Sequence, residues 1–68
     1  MEREENAYGI ARRGRGLVVA EAAAALGVRA RELERYETGR DHPNAVVVRR
    51  MARLYGVSAD YLIGNDNG

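Results

Sequence analysis

The residues of this chain best equipped for chemistry are its eleven arginines, which stand without a single lysine and beside one histidine. A guanidinium offers a planar fork of donors that engages phosphate, carboxylate or the edge of a guanine two atoms at a time, while an ammonium acts as a point charge. A lysine-free chain also follows from a GC-rich coding bias, so the arginines carry meaning only where the fold gathers them on one face. Enzymatic chemistry finds far less to work with. There is no cysteine, no nucleophile elbow and no glycine-rich phosphate loop after a strand, and His42 is the one imidazole. His42 lies beside Pro43 in a polar loop and is read as exposed and inert, with a phosphate contact as the alternative. Tyr8, Tyr36, Tyr55 and Tyr61 are read as packing at the rim of the core, since two of them fall at helical core spacing. No enzyme, no cofactor and no metal site is expected.

The elements that position these residues must come from one small domain, because 68 residues enclose only one modest core. With 46% hydrophobic and 31% charged residues and a single proline, the composition is that of a folded chain. Neither a disulfide framework nor a Cys/His zinc site can staple it. The start, MEREEN, is charged and mostly acidic, unlike a signal peptide. The longest weakly polar stretch, LVVAEAAAALGV, is too short to span a bilayer and includes Glu21. The expectation is a soluble cytoplasmic domain over residues 1–68, with no membrane contact and with residues 1–6 and 65–68 as flexible tails. The net charge of +1 decides nothing by itself.

Gly16, Gly27, Gly39, Gly56 and Gly64 each fall just beyond a helical stretch, where a left-handed cap belongs. With no alternating strand pattern between them, the chain is predicted to be all-α, a compact bundle of five short helices. The first runs from about Glu4 to Arg13, with Ala7, Ile10 and Ala11 inward, and is weakened by Gly9 and Gly14. The second, Val19 to Leu26, is alanine-rich and buries Ala22 and Ala23. The third, Ala30 to Glu37, turns Leu33 and Tyr36 inward and displays most of its surface. The fourth follows Pro43 and an Asn44 cap, with Ala45, Val48, Met51, Ala52 and Tyr55 inward. Its run Val46-Val47-Val48 favours a strand locally, but the longer helical period prevails. The fifth is capped by Ser58, closed by Leu62 and Gly64, and seals the core with Val57.

Between the second and third helices, Leu26-Gly27-Val28-Arg29 makes a sharp turn, with the small Ala23 before it and Leu33 after it; this is helix-turn-helix spacing. Further motifs accompany it: RGL at 15–17, AxxLGV at 23–28, RYExGR at 35–40, Pro43, and LYGVSADYLIG at 54–64. In order and spacing the chain resembles the phage Cro/repressor-like (XRE-type) helix-turn-helix domains over about residues 7–64. The resemblance implies a lambda-repressor-like domain whose third helix enters the DNA major groove, usually as a homodimer on a palindromic operator. By the same resemblance, base-reading positions fall on Ala30, Arg31 and Glu32, with Arg35 one turn later. Arg31 is the expected guanine reader, while Glu32 either accepts from cytosine N4 or repels phosphate, and repulsion is the preferred reading. A solvated helix surface is the plainer alternative for both. Phosphate-facing positions fall on Val19, Arg13 and Arg40, and Arg15 and Arg29 add charge beside them. Arg12 matches an arginine that, in such domains, pairs with the glutamate at Glu37.

The chain also departs from that pattern. Val18-Val19 stands where Ser-Gln or Thr-Gln commonly opens the second helix, and Arg29 stands where Ser or Thr commonly caps the third. Neither valine nor arginine can accept the orphan N–H groups of a helix start. Val18, Val19, Val46 and Val47 place apolar side chains where polar ones are usual, and an apolar surface of that kind often marks a protein interface. Two expectations follow. The first is a sequence-specific DNA-binding transcriptional regulator, a small phage- or mobile-element-type repressor acting on double-stranded DNA as a homodimer. The second is a helix-turn-helix fold serving as a protein-protein interaction module, inhibitor or antitoxin-like, with weak or no DNA binding. The first leads, because Arg12, Arg13, Arg15, Arg29, Arg31 and Arg40 can converge on one face.

Overall fold

Three short polar side chains start helices by taking backbone donors that the helix itself leaves unpaired. In the computed structural model, which describes residues 6–64, Asn6 accepts from the Gly9 N–H at 3.3 Å, Asn44 from the Val47 N–H at 2.9 Å, and Ser58 Oγ from the Tyr61 N–H at 3.0 Å. The elements are α1 (Ala7–Gly14), α2 (Val19–Leu26), α3 (Ala30–Glu37), α4 (Ala45–Tyr55) and α5 (Ala59–Gly64). There is no strand among the described residues. The first helix begins at Ala7 and not at Glu4, because Asn6 takes an extended backbone and caps it. Asn6 thus belongs to the folded domain; the rest of the expected tails, 1–5 and 65–68, lies outside the described residues.

Val18 and Arg29 provide no capping side chain, yet α2 and α3 start where the sequence predicts. In each, the glutamate three residues on reaches back. Glu21 accepts from the Val18 N–H at 3.0 Å and Glu32 from the Arg29 N–H at 3.1 Å. Each is one half of a capping box, with the other half missing because Val and Arg carry no acceptor. The helix ends are equally local. The residue after each of Gly16, Gly27, Gly39 and Gly56 donates to the carbonyl five residues earlier: Leu17 to Arg12, Val28 to Ala23, Arg40 to Arg35 and Val57 to Ala52. Gly27 needs its positive φ of 77°, since the α2–α3 turn depends on it. Gly64 differs from expectation by staying within α5 without a positive φ.

Leu26, Leu33, Met51 and Leu62, one from each of α2 to α5, are fully buried at the centre. Ala22 and Ala23 let α2 approach both α3 and α4, and α1 lies across α3, α4 and α5. The inward stripe of α1 is Ala7, Tyr8, Ala11 and Arg12. Ile10, expected in the core, is 46% exposed, because a stripe through 7, 8, 11 and 12 turns position 10 to solvent. In α4 the stripe runs through Val47, Val48, Met51 and Tyr55, which buries Val47 and leaves Ala45 and Val46 outside. The valine run is therefore helical, and core packing outweighs its local preference for a strand.

Candidate nucleic-acid interface

Helix α3 buries Leu33 and half-buries Tyr36 and Glu37, so the opposite face belongs to Arg31, Glu34 and Arg35, with Thr38 at its end. These four residues and Arg40 line one shallow depression. Arg40 reaches it because the chain reverses at Gly39, where the N–H groups of Arg40 and Asp41 both donate to the Arg35 carbonyl, at 2.9 and 3.2 Å. Asp41 is also engaged by its side chain. The Arg35 Nε donates to Asp41 Oδ2 at 2.9 Å, with both side chains about half exposed, and the carboxylate raises the Arg35 guanidinium further above its ordinary pKa. Thr38 Oγ1 donates back to the carbonyls of Glu34 and Arg35 at 3.0 and 3.3 Å.

The helix is held from behind by α1. The Arg12 guanidinium donates through Nε to Glu37 Oε2 at 2.7 Å and through Nη2 to Glu37 Oε1 at 2.9 Å, while Nη1 donates to the Leu17 carbonyl at 2.8 Å. Arg12 is only 7% exposed, so this fork is a largely desolvated clamp between α1 and the end of α3. Gly9 makes room for it, since a Cβ there would stand 3.3 Å from Glu37 Oε1. Asn6 adds a second tie, Nδ2 donating to the Tyr36 carbonyl at 2.8 Å. Near the clamp, the buried Tyr55 hydroxyl makes no hydrogen bond among the described residues. Burial first, then the Glu37 charge, pushes the Tyr55 phenol up to about 12, against a smaller opposing effect of Arg12.

Of the residues singled out from the sequence, the structure brings Arg31, Arg35 and Arg40 together. Arg12 is buried against Glu37, as the resemblance implies, and so leaves the expected six-arginine surface. Arg15 does not join the depression; its Nε reaches the Leu54 carbonyl at the end of α4, at 3.4 Å. Arg13 is exposed on α1, Arg29 and Ala30 are exposed at the start of α3, and His42 is exposed in the loop before α4. Glu32 lies to the side of the depression with its carboxylate on the Arg29 N–H, and Glu34 is the acid that shares the arginine face. Val19 is half-buried against the core, Val47 is buried, and only Val18 (59%) and Val46 (52%) remain open, so the expected four-valine surface does not form. Tyr8 and Tyr55 lie in the core itself, Tyr36 at its rim and Tyr61 outside.

Sequence reasoning missed Asp41, Thr38 and Arg50. Arg50 Nη1 donates to the Leu26 carbonyl at 3.1 Å and so closes α2 from α4. A carboxylate two residues after a helix-closing glycine is a usable signal for Asp41; a pairing from α4 to α2 has no local signature. Charge is also unevenly distributed. With Arg3, Glu2, Glu4, Glu5 and Asp66 set aside, residues 6–64 hold ten arginines against six carboxylates. No helix among the described residues is long and apolar enough to cross a membrane.

Two helices joined through Gly27, the second pinned from behind and displaying arginines outward, make this a helix-turn-helix domain. The profile of a helix-turn-helix domain family matches residues 9–62, and the chain belongs to that family, which is of the Cro/XRE-like type. Comparison with curated proteins and with solved structures returned no match.

Proposed function

We propose that this domain is a sequence-specific DNA-binding transcriptional regulator that lays α3 in the major groove. The observation that carries the reading is the gathering of Arg31, Arg35 and Arg40 on the face of α3 opposite Leu33. Arg31 and Arg35 are spaced to meet base edges, and Ala30 keeps the helix start small enough for close approach. Arg40, on the turn after α3, contacts phosphate, and Arg13 and Arg29 add sequence-independent attraction. Resemblance to Cro/repressor-like domains favours repression by occupancy. An eight-residue helix reads only a few base pairs, so two copies on half-sites about 34–36 Å apart are the working form.

The reading is tested by mobility-shift titration against a selected duplex and random duplexes at several salt concentrations. A preferred site should emerge, with a steep salt dependence. Arg40→Ala should weaken every duplex similarly and reduce the salt slope by about one unit, because a phosphate contact releases counterions wherever it forms. No shift at any salt, with a protein recovered in pull-down instead, overturns the reading in favour of an interaction module.

A further inference from the structure

Among the described residues, Arg35 is the one arginine of the exposed α3 face whose guanidinium is held by another side chain. The contact uses only the Nε edge: Nε donates to Asp41 Oδ2 at 2.9 Å, and among the described residues Nη1 and Nη2 donate to nothing. A guanidinium carries five N–H donors, so four stay available, and the two that project end-on, one from each Nη, form the fork that matches guanine O6 and N7. Asp41 is itself held. Its N–H and that of Arg40 both donate to the Arg35 carbonyl, which folds the turn back on the residue it buttresses.

The turn that carries Asp41 is also unlike the other three of its kind. After Gly16, Gly27 and Gly56 the next residue is Leu17, Val28 or Val57, each packed against the core; after Gly39 it is the exposed Arg40. The α3 terminus therefore closes with its turn on the outer surface, beside Arg31 and Arg35, instead of under the core.

We propose that Asp41 is a positioning residue that holds Arg35 with its Nη edge outward to read one guanine, and that it thereby sets the sequence choice of this domain. The inference rests on the DNA-binding reading above. A long, half-exposed arginine loses rotamer freedom when it docks, and a partner that fixes it beforehand removes part of that cost for the correct base. A carboxylate also repels phosphate wherever the duplex lies, so Asp41 has opposite effects on the preferred site and on random DNA. That difference in sign is measurable.

The test takes the duplex selected from a random pool and every single base-pair change of it. Binding is measured for the parent, Asp41→Ala, Arg35→Ala, Arg35→Lys and the double alanine variant, with thermal melting alongside. Asp41→Ala should relax the choice at one G·C pair by about tenfold while random-duplex affinity stays equal or tightens. Arg35→Ala and Arg35→Lys should relax the same pair, Lys having charge without the fork, and the double variant should discriminate no worse than Arg35→Ala. Equal tightening of all duplexes by Asp41→Ala makes it a repelling charge only and overturns the proposal. Independent, additive effects of Arg35 and Asp41 at different base pairs also overturn it, as does uniform weakening together with a lower Tm. A parent protein that selects no duplex overturns this inference together with the reading on which it rests.

Discussion

Glu32 serves the fold at a position where its charge opposes the ligand. Its carboxylate accepts the Arg29 N–H that no cap side chain serves, and the same negative charge stands at the start of the helix proposed to approach a polyanion. Two substitutions separate these roles. Glutamine can also serve as the returning acceptor of a capping box, so Glu32→Gln should keep the urea midpoint near that of the parent and tighten binding to any duplex. Glu32→Ala removes acceptor and charge together and should cost about 1 kcal/mol of stability. A Glu32→Gln protein with weaker and less selective operator binding would show instead that the carboxylate reads a cytosine. The capping role was illegible in the sequence because the usual signature begins with Ser or Thr, and Arg29 stands in that place.

Helix α1 is read wrongly if glycine is scored only as a helix breaker. Gly9 and Gly14 weaken it alike by intrinsic propensity, by roughly 1 kcal/mol each against alanine. Their surroundings differ. A Cβ at Gly9 would stand 3.3 Å from a carboxylate oxygen that Arg12 holds at 2.9 Å, so that oxygen has little room to retreat. A Cβ at Gly14 would meet nothing within 4 Å. Gly14→Ala should therefore raise Tm by several degrees, as about 1 kcal/mol does in a domain of this size, while Gly9→Ala should lower it. Equal increases for both, followed by thermal melting, would falsify the claim that the clamp is rigid. The carboxylate that faces Gly9 belongs to Glu37 of α3, beyond the reach of any reading confined to α1.

For the whole molecule, alkaline pH probes the packing of the bundle. The Tyr55 phenol is neutral and buried, its folded pKa of about 12 standing above the ordinary value of 10. The unfolded chain therefore loses this proton first, and stability present below pH 10 declines as pH rises towards 12. The decline attributable to this group is on the order of 2 kcal/mol. Tyr36, raised by burial and then by Glu32 and Asp41, contributes in the same direction. Chemical denaturation between pH 9 and about 12 should show a shallower loss for Tyr55→Phe than for the parent. Identical slopes would mean that the hydroxyl is solvated in the folded state. At neutral pH the substitution should cost little, because the hydroxyl has no hydrogen-bond partner among the described residues.

What the sequence determined by itself was mainly the number of helices and most of their ends. Caps at Asn44 and Ser58 and the returning glutamates accept from backbone N–H groups three residues away, and the closing glycines use backbone bonds spanning five, so these ends are set locally even where, as at Glu32, the usual signature is missing. The Arg12–Glu37 pair was legible only through family resemblance, since its partners lie 25 residues apart. Tertiary structure alone decided the facing of side chains: Tyr8 inward and Ile10 outward, Val47 buried and Val46 open, Arg15 turned to Leu54. It also decided that Arg35 would be held by Asp41, while Arg31 in the same depression has no such buttress among the described residues. The physical reason is common to all of these. A short amphipathic helix admits several rotations of similar local energy, and the choice among them falls to core volume and charge pairs contributed by the other helices.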